Sequence, residues 1–125
     1  DRGATWTPGR DSGLGGPDSR FFIRRLPSDS LLLVNHRNFT KRDHLTALLS
    51  DDEGESWPFQ LLLDDRENVS YPDGAIAADG TIRIVYDHGR YREREICTAL
   101  FREEEVRAGY LSAPRSALNR VIIKA

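Results

Sequence analysis

Cysteine is scarce in this sequence, methionine is missing, and no apolar run is long. The single cysteine, Cys97, excludes an internal disulfide framework and a zinc site built from cysteines, and we expect it to be a buried thiol. No apolar run approaches the roughly 20 residues of a membrane-spanning helix, so we expect no membrane span. Without methionine there is no initiator residue, and we expect the chain to be part of a longer protein.

A strong charge of either sign is also lacking. The 18 basic and 20 acidic residues leave a net charge of −2, which gives no reason to expect nucleic acid or an anionic membrane as a partner. The 125 residues are 38% apolar and 30% charged, as is typical of a globular protein of one domain or less.

An internal repeat is the most informative feature that is present. One offset of 51 residues carries "DRGATW" at the start of the chain onto "DEGESW" at positions 52–57. The same offset carries the apolar run 31–34 onto the run 82–85. Two consecutive copies of one structural unit are therefore predicted.

The elements within each copy are short aliphatic or β-branched runs between turn residues, which predicts β-strands. We expect strands at 21–26, 31–36, 45–50 and 59–63, and in the second copy at 75–77, 82–87 and 95–101. A short helix over 102–109 and a last strand over 121–125 follow. Four-stranded antiparallel units at this period indicate an all-β protein made of β-propeller blades. We place the blades at about 7–64 and 65–125, and expect further blades N-terminal to Asp1 because blades bury their faces against neighbours.

The stretch "SDDEGESW" from Ser50 to Trp57 concentrates acidic residues around a glycine. A calcium loop would need ligands at alternating positions and a closing bidentate glutamate, which this stretch does not supply. In a turn, Asp52 can accept backbone N–H bonds, Gly54 can adopt a positive φ and Trp57 can pack into the blade. The pattern resembles the Asp box, or BNR repeat, of sialidases and related propellers, and we interpret it as architecture.

Up-and-down strand order would place the loops that follow the second and fourth strands of a blade on one face, opposite the Asp boxes. Loops on a rigid β scaffold are the usual location of a binding site. We expect the three histidines to be exposed loop residues rather than zinc ligands. The residues expected to form a cationic pocket for an anionic ligand on this face are His36, Arg37, Lys41, Arg42, Tyr71, Asp73, His88 and Arg90.

The resemblance to sialidases extends to two longer segments, "KRDHLTALLSDDEGESW" and "VSYPDGAIAADGTIRIVYDHGRY". It implies the C-terminal part of a six-bladed propeller with exo-α-sialidase-like glycoside hydrolase activity on terminal sialic acid or a related acidic sugar. Arg42 falls on an arginine that grips the carboxylate of the sugar, and Tyr71 on the catalytic tyrosine. Asp73 falls on the acid after that tyrosine, Arg20 is a further candidate for substrate binding, and Tyr86-Asp87 replaces a Tyr-Glu pair.

These residue types suit the chemistry that the resemblance implies. A guanidinium offers two parallel N–H donors to a carboxylate, which a lysine cannot match. The carboxylate of sialic acid would repel an anionic nucleophile but not a neutral phenol, and sialidases use a tyrosine nucleophile. Pro72 predicts an extended backbone at Tyr71.

The family also needs a glutamate base, an acidic aspartate and two further arginines, none of which we assign here, so we expect these 125 residues alone to be inactive. No cofactor and no metal are expected. The expected partners are an acidic glycan and either the missing blades or a second copy of the chain, and the resemblance favours a secreted or periplasmic location. The alternatives are a non-catalytic propeller that binds glycans or proteins, and a glycosidase for another acidic sugar.

Overall fold

The computed structural model describes residues 1–38 and 40–125 of the chain and consists of two four-stranded antiparallel sheets and one short helix. The first sheet contains β1 (Phe22–Arg25), β2 (Leu31–His36), β3 (Leu45–Ser50) and β4 (Phe59–Asp64). The second contains β5 (Val69–Ile76), β6 (Ile82–His88), β7 (Glu95–Phe101) and β8 (Ala117–Lys124), with α1 (Glu103–Ala108) between β7 and β8. In each sheet the strands lie side by side in chain order.

This architecture confirms the prediction of an all-β, blade-like fold with a short helix. β2, β3 and β7 have the predicted bounds, and α1 lies within the predicted helix. The largest error concerns β5, which begins at Val69 rather than near position 75. The prediction began this strand too late because Tyr71-Pro72-Asp73-Gly74 has the composition of a turn, whereas a bulge accommodates it within the strand.

The hydrophobic core lies between the two sheets. Alternate residues of each strand point to the same face, so Val34, Ala47 and Leu61, which are paired across the first sheet, share its core face. The second sheet contributes Ile84 and Ala99 among others to the same cluster. Burial of each large aliphatic side chain contributes about 2 kcal/mol. Cys97 is fully buried in this core, as predicted.

Helix α1 covers the end of the core that lies opposite the β2–β3, β4–β5 and β6–β7 connections. Its buried Val106 joins the core cluster, and the helix contacts β3 and β4 of the first sheet. Three glutamates occupy its first turn, where negative charge is favourable, and Gly109 ends it with a φ of 80°. In the part of the chain that the structure describes, no helix has the length and apolar character required to cross a membrane.

The stretch from Ser50 to Trp57 is a turn held by its own side chains. Asp52 accepts hydrogen bonds from the Ser56 backbone N–H at 2.9 Å and from the Ser56 and Ser50 hydroxyls at 2.6 and 2.7 Å. Gly54 has a φ of 90°, and the partly buried Trp57 donates its indole N–H to the Gly54 carbonyl at 3.1 Å. The architectural interpretation of this acidic stretch is confirmed.

Candidate functional site

The candidate site lies on the face formed by the connections β2–β3, β4–β5 and β6–β7. Because neighbouring strands run antiparallel in chain order, these three connections share one end of the sheets, and the Asp box and α1 lie at the other. Phe39 of the β2–β3 connection lies outside the described residues. The structure brings together Arg42 from the first of these connections, Tyr71 from β5 and Arg90 from the last.

A β-bulge places Tyr71 at this end of the second sheet. Ser70 pairs with Asp87 and Asp73 pairs with Val85, so Tyr71 and Pro72 together oppose Tyr86 alone. Tyr71 has a φ of 55°, so the prediction of an extended backbone before Pro72 is wrong. In the G1 class of bulge the first residue has this left-handed conformation and is normally a glycine, and a bulge re-aims the side chain at its position. For a bulky side chain this conformation is strained, and strain of this kind is concentrated at functional sites.

Gly74 fixes the strand just after the bulge. A Cβ atom at this position would lie 2.5 Å from the carbonyl oxygen of Arg83 and 2.6 Å from the Ile84 side chain. Only glycine therefore allows β5 to approach β6 this closely. The close approach anchors the strand two residues beyond Pro72.

Two guanidinium groups lie against the ring of Tyr71. The Cζ atom of Arg90 is 4.3 Å from the ring centroid and that of Arg42 is 5.2 Å from it, both within cation–π range. The Tyr71 side chain is half-exposed. Polar contact with Arg90, and then with Arg42, lowers the pKa of the Tyr71 phenol because both cations favour the phenolate.

The arginines at the site differ in what neutralises them. Arg90 is paired with Asp87, which also accepts a hydrogen bond from the Ser70 hydroxyl at 2.6 Å. Arg20 is paired with Asp73 in an exposed contact. Arg42 donates to the backbone carbonyl of Asp18, and no carboxylate among the described residues pairs with it.

A cavity of about 180 Å³ opens beside this cluster. Arg42 and Arg90 line the cavity and also lie against the Tyr71 ring, whereas Tyr71 itself is not part of the lining. It is large enough for a small anionic group. Its lining consists of Arg42, Asn68, Ser70, Gly89, Arg90, Tyr91, Arg92 and Glu93.

The expectation of exposed loop histidines is wrong for His36 and His88. His36 ends β2, is 1% exposed, and its Nε2 lies 2.8 Å from the Val69 carbonyl oxygen, which joins the two sheets. Burial lowers the pKa of His36. His88 ends β6 and its Nδ1 lies 2.9 Å from a carboxylate oxygen of Glu95. In the described residues, no group of three or more His, Cys, Asp or Glu side chains is arranged to hold a metal ion.

Tyr86 has an architectural position. It is 2% exposed and donates its hydroxyl to Asp64 at 2.9 Å, and burial raises its pKa. The adjacent Asp87 points to the site instead, where it holds Arg90. The sequence indicates Arg90 only as one of the cationic residues of this face, although its spacing of three residues from Asp87 is a usable signal for an ion pair.

The comparison with protein families gives one match. A family model described as a BNR repeat-like domain matches residues 1–84, which include both Asp boxes and the whole of β5. Arg42, Tyr71 and Asp73 all lie inside this match. No curated protein and no solved structure matches the chain.

Proposed function

The chain belongs to the family of BNR repeat-like domains, and from this premise we propose that it forms part of an exo-α-sialidase-like glycoside hydrolase. Its substrate is a glycan that ends in sialic acid or a related acidic sugar. Tyr71 is the nucleophile and Arg42 binds the carboxylate of the sugar. Arg20 and Asp73 are further substrate contacts at the edge of the site.

The observation that carries this proposal concerns the contacts and the position of Arg42. It is a guanidinium without a carboxylate partner among the described residues, it lines a cavity, and its Cζ atom lies 5.2 Å from the centroid of the Tyr71 ring. A planar guanidinium can bind a carboxylate through two parallel hydrogen bonds. A sugar whose carboxylate is held by Arg42 would therefore have its anomeric carbon close to Tyr71.

The reaction also accounts for a phenol in this position. The Tyr71 oxygen forms a bond to the anomeric carbon while the glycosidic C–O bond breaks and the leaving alcohol takes a proton from an acid. The phenol proton passes to a base, and water then displaces the tyrosine. The lowered pKa of Tyr71 supports the first step because the adjacent guanidinium groups stabilise the negative charge that develops on the phenol oxygen as the base removes its proton. The base and the acid are not assigned to this chain.

Binding of a sialoside to the chain tests the role of Arg42. We expect methyl α-sialoside to shift the NMR signals of residues around the cavity, and Arg42→Gln to weaken binding at least tenfold, since a hydrogen-bonded charge contributes about 1.5–3 kcal/mol. Arg42→Lys should recover only part of the affinity because an ammonium cannot bind in the same bidentate way. The matched control is Arg83→Gln, which changes an exposed arginine of β6 outside the cavity. Equal affinity of the Arg42→Gln variant would refute the assignment.

Hydrolysis of an aryl sialoside tests the role of Tyr71. In a longer form of the protein that contains the further blades expected above, Tyr71→Phe should remove most of the turnover and leave sialoside binding nearly intact. Turnover that is undiminished in this variant would end the assignment of the nucleophile.

A non-catalytic propeller that binds acidic glycans is the second candidate. One observation favours it: among the described residues, no carboxylate contacts the Tyr71 hydroxyl as a general base would, because Asp87 is paired with Arg90 and Asp73 with Arg20. This candidate predicts binding that depends on Arg42 without any release of sialic acid, so the two experiments together separate the candidates.

A further inference from the structure

We propose that Arg90 is a positioning residue, which Asp87 fixes in place and which holds the ring of Tyr71 at the bulge of β5. This inference rests on the proposed function, because it assigns a role to Arg90 only through Tyr71. It gives a specific role to Arg90, which the sequence indicated only as one of the residues of a cationic pocket.

The hydrogen bonds around Arg90 form a continuous path back to Tyr71. Ser70 precedes Tyr71 in β5 and donates to Asp87 of β6 at 2.6 Å. Asp87 accepts from two nitrogens of Arg90, with the Nε bond at 3.1 Å. The guanidinium so fixed lies 4.3 Å from the centroid of the Tyr71 ring. Asp87 of β6 thus orients Arg90. The guanidinium of Arg90 contacts Tyr71, which lies at the bulge of β5.

The backbone of Tyr71 explains why such a clamp is useful. Its φ of 55° is unfavourable for an aromatic residue, and strained conformations persist only where the surroundings constrain them. Stacking of a planar guanidinium on the ring supplies such a constraint, and a lysine could not reproduce it. The same contact places positive charge beside the phenol and lowers its pKa.

Arg90 and Arg42 have different roles at the site. Arg42 has no carboxylate partner among the described residues and can turn to the ligand, whereas Arg90 is already neutralised by Asp87 and remains on the ring. Asp73, two residues after Tyr71 in β5, is paired with Arg20. A cation therefore stays beside the phenol while the other binds the sugar.

The experiment is a pH titration of the tyrosines in the free chain, by NMR of protein labelled with ¹³C at the ring carbon that bears the hydroxyl. Tyr71→Phe assigns the signal. We expect Arg90→Gln to raise the pKa of Tyr71 toward the ordinary tyrosine value of about 10. Arg90→Lys should restore the lowered pKa only in part. Arg94→Gln, a change in the same connection but outside the cavity lining, should leave the pKa of Tyr71 where it is.

Three results would overturn the inference: a Tyr71 pKa that does not change in Arg90→Gln, one that changes equally in Arg94→Gln, or full restoration by Arg90→Lys, which would reduce the effect to charge alone. Circular dichroism of each variant establishes that it is folded. The titration uses no sugar, whereas the test of the proposed function measures sialoside binding with Arg42 variants. Failure of one is therefore distinguishable from failure of the other.

Discussion

The two sheets share one strand order but connect their third and fourth strands differently. In the first sheet the connection is the Asp box, in which Asp52 accepts hydrogen bonds from the backbone and hydroxyl of Ser56. In the second sheet the connection contains α1, and the acceptor is Glu105. Glu105 accepts hydrogen bonds from the backbone N–H groups of Arg102, Ser112 and Ala113 and from the Ser116 hydroxyl. One carboxylate organises each connection.

The carboxylates of Asp52 and Glu105 differ in their exposure to solvent. Asp52 is exposed, whereas Glu105 is 0% exposed beneath the chain that it organises. The second connection also joins the sheets, because Arg107 of α1 donates to Asp51 at 2.8 Å and to the Ser30 hydroxyl at 2.9 Å. The Asp box stabilises its own turn, and α1 stabilises the contact between the sheets. The connection between the third and fourth strands therefore stabilises only its own turn in the first sheet, but stabilises the packing of the two sheets in the second.

The largest effect is expected for Glu105→Gln. The amide nitrogen of a glutamine would face hydrogen-bond donors, which leaves at least one buried donor without an acceptor, and the loss of charge weakens the remaining bonds. We expect the free energy of unfolding to fall by about 2–4 kcal/mol, measured by urea denaturation. Glu104→Gln, in the same helical turn but exposed, should leave it nearly unchanged. Equal effects of the two substitutions would contradict the distinction in depth.

The buried carboxylate of Glu105 also makes the stability of the chain depend on pH. Burial alone would raise the pKa of Glu105, but the hydrogen bonds from Ala113, Ser116, Ser112 and Arg102 outweigh it and lower the pKa below 4.5. The contribution of Glu105 is therefore complete above about pH 4.5 and is lost as the pH falls through the lowered pKa. The Glu105→Gln variant should accordingly lose less stability on acidification than the unmodified chain does.

The sequence was a good guide to the connections and a poor one to the bulge. The Asp box was predictable because its serine, aspartate, glycine and tryptophan act within eight residues, and local hydrogen bonds are legible as a pattern. The helix was predictable from the acidic residues of its first turn and the glycine that ends it. The role of Glu105 was not, because its partners Ser112, Ala113 and Ser116 become neighbours only after the chain reverses.

The candidate site shows the same limit. Arg42 and Tyr71 could be placed on one face from strand order alone, and the structure brings them together. The left-handed backbone of Tyr71 was missed because proline restricts its preceding residue in isolation, whereas pairing with β6 requires an extra residue at this point. The contact of Arg90 with the ring depends on that bulge and was missed with it.

A smaller effect is expected at the Asp boxes, where the first copy is a matched control for the second. Asp1 accepts hydrogen bonds from the Gly3 and Thr5 N–H groups, and Trp6 donates to Gly3, as Trp57 does to Gly54. Trp6 is 87% exposed, whereas Trp57 is partly buried. Asp52→Asn should therefore lower the urea midpoint by less than Glu105→Gln does, and Asp1→Asn should not change it. A shift with Asp1→Asn as large as that with Asp52→Asn would show that the two turns contribute equally.

The smallest effect is expected in the β1–β2 and β5–β6 hairpins, where the repeat is closest. Asp29 and Gly80, which the 51-residue offset superimposes, have φ values of 77° and 81°, and each donates its N–H at 3.0 Å to a carbonyl three residues earlier. Glycine removes the strain of positive φ at position 29 but gives the unfolded chain more freedom, so the two changes nearly cancel. Asp29→Gly should therefore change the free energy of unfolding by less than about 0.5 kcal/mol. Gly80→Ala should lower the free energy of unfolding by about 1 kcal/mol, because alanine lacks the polar side chain that makes a positive φ tolerable for aspartate. If Asp29→Gly instead destabilises the chain as much as Gly80→Ala does, the ion pair of Asp29 with Arg25, and not the backbone conformation, determines the stability of the first turn.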